Sequence, residues 1–125
     1  MEIIHTDNSS QAIGPYSQAI RVEGWVYTSG VVGMRPDNSV AGDTIAEQTH
    51  QVFANLQAIL GAAGCTLQDV VKATVYLADM DEFSAMNEIY SQYMDGHQPA
   101  RSCVEVARLP RDLRVEIDVI ARPAS

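Results

Sequence analysis

Lysine is nearly absent from this chain: Lys72 is the only one in 125 residues. Schiff-base chemistry therefore has a single candidate, and the β-rich run around Lys72 places it in mid-strand. Cysteine is scarce too. Cys65 and Cys103 could form at most one bridge, and with no export signal at Met1 they are expected to be free thiols. His5, His50 and His97 are scattered, with no cysteine or carboxylate at ligand spacing, so a metal site has no support. Uninterrupted apolar stretches run only a few residues, too short to span a bilayer. No basic segment leads into an apolar one at the start, and a cytoplasmic location is expected. The patterns G-x-G-x-x-G, G-x-x-x-x-G-K-[ST] and G-x-S-x-G are all missing, which removes the usual signatures of dinucleotide, P-loop and hydrolase-triad sites. No cofactor is expected. Chemistry is left to arginine, carboxylates, thiols, hydroxyls, backbone groups and water.

Positive charge is also short. Eight Lys+Arg against sixteen Asp+Glu give a net charge of −8, and the isoelectric point is near 4.6. A surface of that sign repels phosphates, so nucleic acid is not an expected partner, nor is a membrane. Arg101, Arg108, Arg111, Arg114 and Arg122 nonetheless crowd the last 25 residues, where salt bridges and one anion site can use them. The rest of the composition, 46% hydrophobic and 19% charged, is that of a globular chain. Residues 1–125 read as one domain, large enough to bury about two-thirds of the unfolded surface.

Segments 16–22 and 25–29, split by Glu23-Gly24, read as a β-hairpin, with a short strand at 31–34 before the turn-rich Arg35-Pro36-Asp37-Asn38-Ser39. Thr44-Ile45-Ala46-Glu47 is a capping box that opens a helix running to about Ala63, with Gly64 as its stop. Ile45, Val52, Phe53, Leu56, Ile59, Leu60 and Ala63 form its buried stripe. A strand at 70–78 follows. Asp79 to Glu82 then start a second helix, whose stripe is Phe83, Met86, Tyr90, Tyr93 and Met94, with Asn87 on the same face. Strands at 101–107 and 114–121 complete the order β-β-β-α-β-α-β-β. The expected class is α+β: a mixed sheet with two helices on one face.

The last two strands carry the most information. Arg101, Cys103, Glu105 and Ala107 share one face of the first; Arg114, Glu116, Asp118 and Ile120 share one face of the second. If the apolar faces lie under the helices, these mixed faces coincide on the sheet's far side. Opposite-charge pairing then favours Arg101 across from Asp118, Cys103 from Glu116 and Glu105 from Arg114. That register would set an arginine, a thiol and a carboxylate side by side. A mixed face with no helix layer of its own suggests coverage by another copy of the chain.

The run Pro99-Ala100-Arg101-Ser102-Cys103-Val104-Glu105-Val106-Ala107-Arg108-Leu109-Pro110 resembles the Rid family of reactive intermediate deaminases, also called YjgF-type proteins. So do Val115-Glu116-Ile117, Ile13-Gly14-Pro15-Tyr16, Thr28-Ser29-Gly30, Ala62-Ala63-Gly64 and Asn87, so the likeness runs nearly end to end. The resemblance implies a chorismate-mutase-like fold and a homotrimer with a site in each subunit cleft. It further implies cofactor-free hydrolysis of 2-enamine and 2-imine acids, such as 2-aminoacrylate/2-iminopropanoate and 2-iminobutanoate, to 2-keto acids and ammonia. On it, Arg101 would clamp the substrate carboxylate and Glu116 would orient water and shuttle protons. Tyr16 would wall the pocket, and Ser29, Gly30, Asn87 and Cys103 would line it.

The segment Tyr93-Met94-Asp95-Gly96-His97-Gln98 is shorter than in the best-known imine deaminases, with Gln98 where they carry an aromatic. Substrate side-chain preference therefore stays open. A deaminase for another enamine, such as 2-aminomuconate or the aminoacrylate of pyrimidine breakdown, is an alternative. So is a non-catalytic trimeric ligand-binding or chaperone-like protein, although the presence of both Arg101 and Glu116 argues against it. RNA cleavage, attributed to some relatives, is opposed by the net charge of −8.

Overall fold

The computed structural model describes residues 1–124. The Thr44 capping box forms as expected: its side chain accepts from the Glu47 N–H, and the Glu47 carboxylate accepts from the Thr44 N–H. Helix α1, Ile45–Ala62, follows from it. Gly64, at φ +75°, turns the chain out of the helix where a side chain would be strained. Helix α2, Phe83–Met94, grows from a short 3-10 turn at Met80–Glu82, where Asp79 accepts from the Asp81 N–H. It stops at Asp95 and Gly96, both at positive φ.

Seven strands make one sheet: β1 Glu2–Ile4, β2 Ala19–Val22, β3 Trp25–Thr28, β4 Val31–Val32, β5 Val70–Leu77, β6 Ala100–Glu105 and β7 Val115–Ala121. Their order across the sheet is β1-β2-β3-β7-β5-β6, with the short β4 also paired to β7. Only β5 and β6 run parallel, so the sheet is mixed and the class is the expected α+β. The strand β1 is an addition to the expected order, since its three residues are too few to show a period.

Two expectations fail here. The strands β6 and β7 are not neighbours, because β5 lies between them, parallel to β6 and antiparallel to β7. A parallel pair needs a long crossover, and α2 supplies it between β5 and β6, leaving the other edge of β5 for β7. None of the expected cross-strand pairs of Arg101, Cys103 and Glu105 with β7 can therefore form. The facing of β6 is also reversed. Ala73, Val75 and Leu77 of β5 and Val115, Ile117, Val119 and Ala121 of β7 are buried beneath the helices. Arg101, Cys103 and Glu105 pair in register with Ala73, Val75 and Leu77, so they too lie on the helix side. Ser102 and Val104 face the open side. An edge strand is only partly covered by the helix layer, so polar side chains tolerate that side, and apolarity alone was a poor guide to facing.

The core between sheet and helices is centred on Phe53, which is fully buried. It stacks on Tyr93 at 4.7 Å between ring centroids and meets Tyr90 edge-on at 5.7 Å. Truncating such a residue to alanine costs about 3–5 kcal/mol. One buried polar group ties α1 to β4: Asn55 donates to the carbonyls of Val32, at 3.3 Å, and Met34, at 2.7 Å. Gly33 lets the same stretch lie against the α1 backbone, since a Cβ there would come within 2.8 Å of the Gln48 Cα. These contacts fix β4 and the residues just after it against α1.

Candidate active site

Arg101 projects from the edge strand toward α2. Phe83, Asn87 and Tyr90 recur at i, i+4 and i+7 on that helix and so form one face. Nη1 of Arg101 donates to Oδ1 of Asn87 at 2.7 Å. Its guanidinium carbon lies 4.7 Å from the centroid of the Tyr90 ring and 5.4 Å from that of Phe83. The pairing of Arg101 with Asp118, allowed by the expected register, does not occur; Asp118 accepts from the Tyr76 hydroxyl at 3.0 Å instead. Arg101 and Asn87 line a cleft of about 420 Å³ together with Tyr90, Ser91, His97 and Gln98. Cys103 follows two residues on, on the same side, packed against the core. Burial pushes its thiol pKa up and Arg101 only partly offsets this, so the thiol stays protonated at neutral pH.

Glu116 is elsewhere. It pairs with Tyr76 of β5 and Val32 of β4 and faces the open side of the sheet, half-buried. Burial, seconded by the nearby Asp118 charge, holds its carboxyl above the ordinary glutamate range. The turn at Gly30 lies directly against it: a Cβ at Gly30 would fall on the Glu116 carboxylate. Gly30, Ser29 and Tyr16 line a second, much smaller hollow of about 30 Å³. Ser29 Oγ donates to the Ser17 carbonyl at 2.6 Å, which leaves its lone pairs free to accept. Tyr16 is half exposed, carried on the loop after Gly14-Pro15.

The expected site residues thus fall into two groups. Arg101, Asn87 and Cys103 lie on the helix side at the sheet edge. Tyr16, Ser29 and Gly30 gather around the β3–β4 turn, where Gly30 lies against Glu116. The expectation that Arg101, Cys103 and Glu116 stand side by side is wrong within one copy of the chain. The stripe of α2 marks Phe83 and Tyr90 as core residues and nothing more. Their spacing with Asn87, opposite a strand carrying an arginine, was the signal that they also touch Arg101. Among the described residues, no three His, Cys, Asp or Glu side chains cluster closely enough to hold a metal ion. None of the described helices is long and apolar enough to cross a membrane.

The family model described as Endoribonuclease L-PSP matches residues 6–123. A RutC family protein of Pyrococcus horikoshii is 48% identical over 122 residues, covering 96% of each chain. The 2-iminobutanoate/2-iminopropanoate deaminase of Mus musculus is 47% identical over 121 residues, covering 96% of this chain and 90% of its own. Among solved structures, a Rid-family protein of Yersinia pestis superposes with a TM-score of 0.95 at 43% identity, covering 98% of each chain.

Proposed function

The chain belongs to the Rid family, whose model carries the L-PSP description, and on that premise we propose that it hydrolyses 2-imino acids, and the 2-enamino acids they arise from, to 2-keto acids and ammonia. The observation that carries the reading is the state of Arg101: its guanidinium is held in place by Asn87 and two rings, forms no ion pair among the described residues, and opens onto a cleft. A guanidinium so placed is a fork for a carboxylate, able to take both oxygens at once. The murine relative named as a deaminase supports the substrate class.

The second reactant group is Glu116. Water must add to the carbon of the protonated imine, and a carboxylate near that carbon takes one proton from the water as the C–O bond forms and the C=N electron pair returns to nitrogen. The same carboxyl returns that proton to the nitrogen of the resulting carbinolamine, and the C–N bond then breaks with release of ammonia as the carboxylate takes the hydroxyl proton and the carbonyl forms. A carboxyl whose pKa is raised by burial is suited to both transfers near neutral pH. An enamine enters the sequence after protonation at its terminal carbon.

Arg101 and Glu116 face opposite sides of the sheet, so this reading requires two copies, each contributing one half of every site. The open face favours such an assembly. It shows Ile3, Tyr27 and Val104 at 67%, 38% and 43% exposure, beside Ile20, Tyr76 and Ile120. Contact between unlike surfaces, the open face of one copy and the edge cleft of the next, closes into a ring. A homotrimer, as the family resemblance implies, is the proposed ring. The RNA-cleaving reading suggested by the family's description gains nothing from a chain of net charge −8.

The test couples threonine dehydratase to the purified protein and follows 2-ketobutanoate release where spontaneous hydrolysis is slow. Saturable acceleration, abolished by Arg101→Ala and only poorly restored by Arg101→Lys, is expected. Loss of a charge-assisted clamp corresponds to roughly 2–5 kcal/mol, or about 30- to several-thousand-fold in kcat/KM. Unchanged activity per folded molecule in Arg101→Ala would remove the residue from the mechanism.

A further inference from the structure

The contacts of Arg101 have one property in common: none of them carries charge. Its hydrogen-bond partner is a neutral amide, Asn87, and its two stacking partners are aromatic rings. Each ion pair among the described residues involves a different basic residue: His5, Arg21, Arg108 or Arg114. Tyr90 is 7% exposed and presents its ring to the Arg101 guanidinium, whose carbon lies 4.7 Å from the ring centroid, while its buried hydroxyl is near enough to feel the Arg101 charge. Burial pushes the Tyr90 phenol up from its ordinary pKa, the neighbouring Arg101 offsets this only in part, and the ring stays neutral at working pH.

We propose that Phe83, Asn87 and Tyr90 form an uncharged seat that fixes the direction of the Arg101 fork while leaving its whole positive charge for the substrate carboxylate. A carboxylate in place of Asn87 would orient the guanidinium equally well, but it would neutralise the charge and compete with the ligand. The aromatic faces attract the cation through their quadrupole and occupy no N–H of the fork, so the remaining donors stay aimed into the cleft. Phe83, Asn87 and Tyr90 act through Arg101, as positioning residues. This assignment rests on the carboxylate-clamp reading of Arg101.

Two readouts test it. The first needs no substrate: the Nε–Hε signal of Arg101, followed by NMR in the ligand-free protein, reports how freely the guanidinium moves. A restrained signal is expected in wild type, with added mobility in Tyr90→Leu and Phe83→Leu and restraint recovered in Tyr90→Phe, which keeps the ring. The second is the split between KM and kcat in the coupled assay, read on variants with wild-type melting curves. Either leucine variant should raise KM about two- to fivefold with kcat little changed, as expected for loss of one cation–π contact. Asn87→Asp should keep the fork restrained yet raise KM at least about tenfold, because the added anion holds Arg101 against the substrate. Phe83→Leu is the safeguard should Tyr90→Leu fold poorly, since Phe83 is only partly buried. An unrestrained Arg101 in wild type overturns the seat, as does a loss in Tyr90→Phe equal to that in Tyr90→Leu. So does wild-type KM in Asn87→Asp. Absence of wild-type turnover with a restrained Arg101 would instead count against the deaminase reading and leave the seat standing.

Discussion

Arg101 and Glu116 stand on opposite sides of one sheet, and the register of a third strand makes this unavoidable. Arg101 pairs with Ala73 and Glu116 with Tyr76, three residues apart on β5. Side chains alternate along a strand, so an odd separation puts them on opposite faces.

Sharing of each site between copies predicts complementation. Arg101→Ala and Glu116→Gln, each inactive alone, should regain activity when unfolded and refolded together. In a closed ring assembled at random from equal amounts, about a quarter of the sites receive an intact arginine from one copy and an intact glutamate from the next. Specific activity of the mixture near that fraction of wild type is the expected result. Mixed protein as inactive as its parents would place both groups of a working site in one chain.

Glu116→Gln should separate activity from stability. Turnover is expected to fall at least about 100-fold while a keto-acid analogue still binds. Stability should move the other way. A carboxyl whose pKa is raised on folding binds its proton more tightly in the native state, so wild-type stability declines as pH rises from the ordinary glutamate range to the raised folded value. Above that window a constant penalty remains. The glutamine variant lacks both the decline and the penalty, and its melting temperature at pH 7 should equal or exceed that of wild type. Melting curves from pH 4 to pH 8 check this; a lower Tm at pH 7 in the variant would contradict it.

Gly30→Ala should act on Glu116 without touching it in sequence. The added methyl would occupy the space of the Glu116 carboxylate, which must move. Gly30 has no positive φ, so backbone strain plays no part. A fall in kcat with an unaltered affinity for the carboxylate of a keto-acid analogue is expected, since Arg101 belongs to the other half-site. Wild-type kcat in the folded variant would show that the position of Glu116 does not matter to the chemistry.

Cys103→Ser should retain most activity, because burial raises the thiol pKa more than Arg101 lowers it and so keeps the thiol protonated. Alkylation of Cys103 by iodoacetamide at pH 7 should be slow for the same reason. Inactivation by orders of magnitude in a folded serine variant would point to thiol chemistry.

Much of the fold could be read along the chain. The capping box at Thr44, the stripes of both helices and the alternation of Val115 to Ala121 depend on neighbours within a few residues, and each appears where its pattern lies. The three-residue β1 left no pattern to read. The chemistry-bearing residues were visible as residue types, with Arg101, Asn87, Cys103 and Glu116 each standing out from an apolar surrounding. Their spatial grouping was not, and Phe83 and Tyr90 were hidden among the core positions they also occupy.

Local sequence thus determined the helices, most of the strands, the charge and the repertoire of available chemistry, because those follow from residues close together in the chain. Strand neighbourhood was decided only in three dimensions. The crossover through α2 places β6 parallel to β5, and β7 fills the other side, so two strands adjacent in sequence end up apart. Facing was decided there as well. An edge strand is covered on neither side as fully as a central one, and composition alone could not tell which side Arg101 would take. That one alternation separates the arginine from the glutamate and turns a single apparent cluster into two halves.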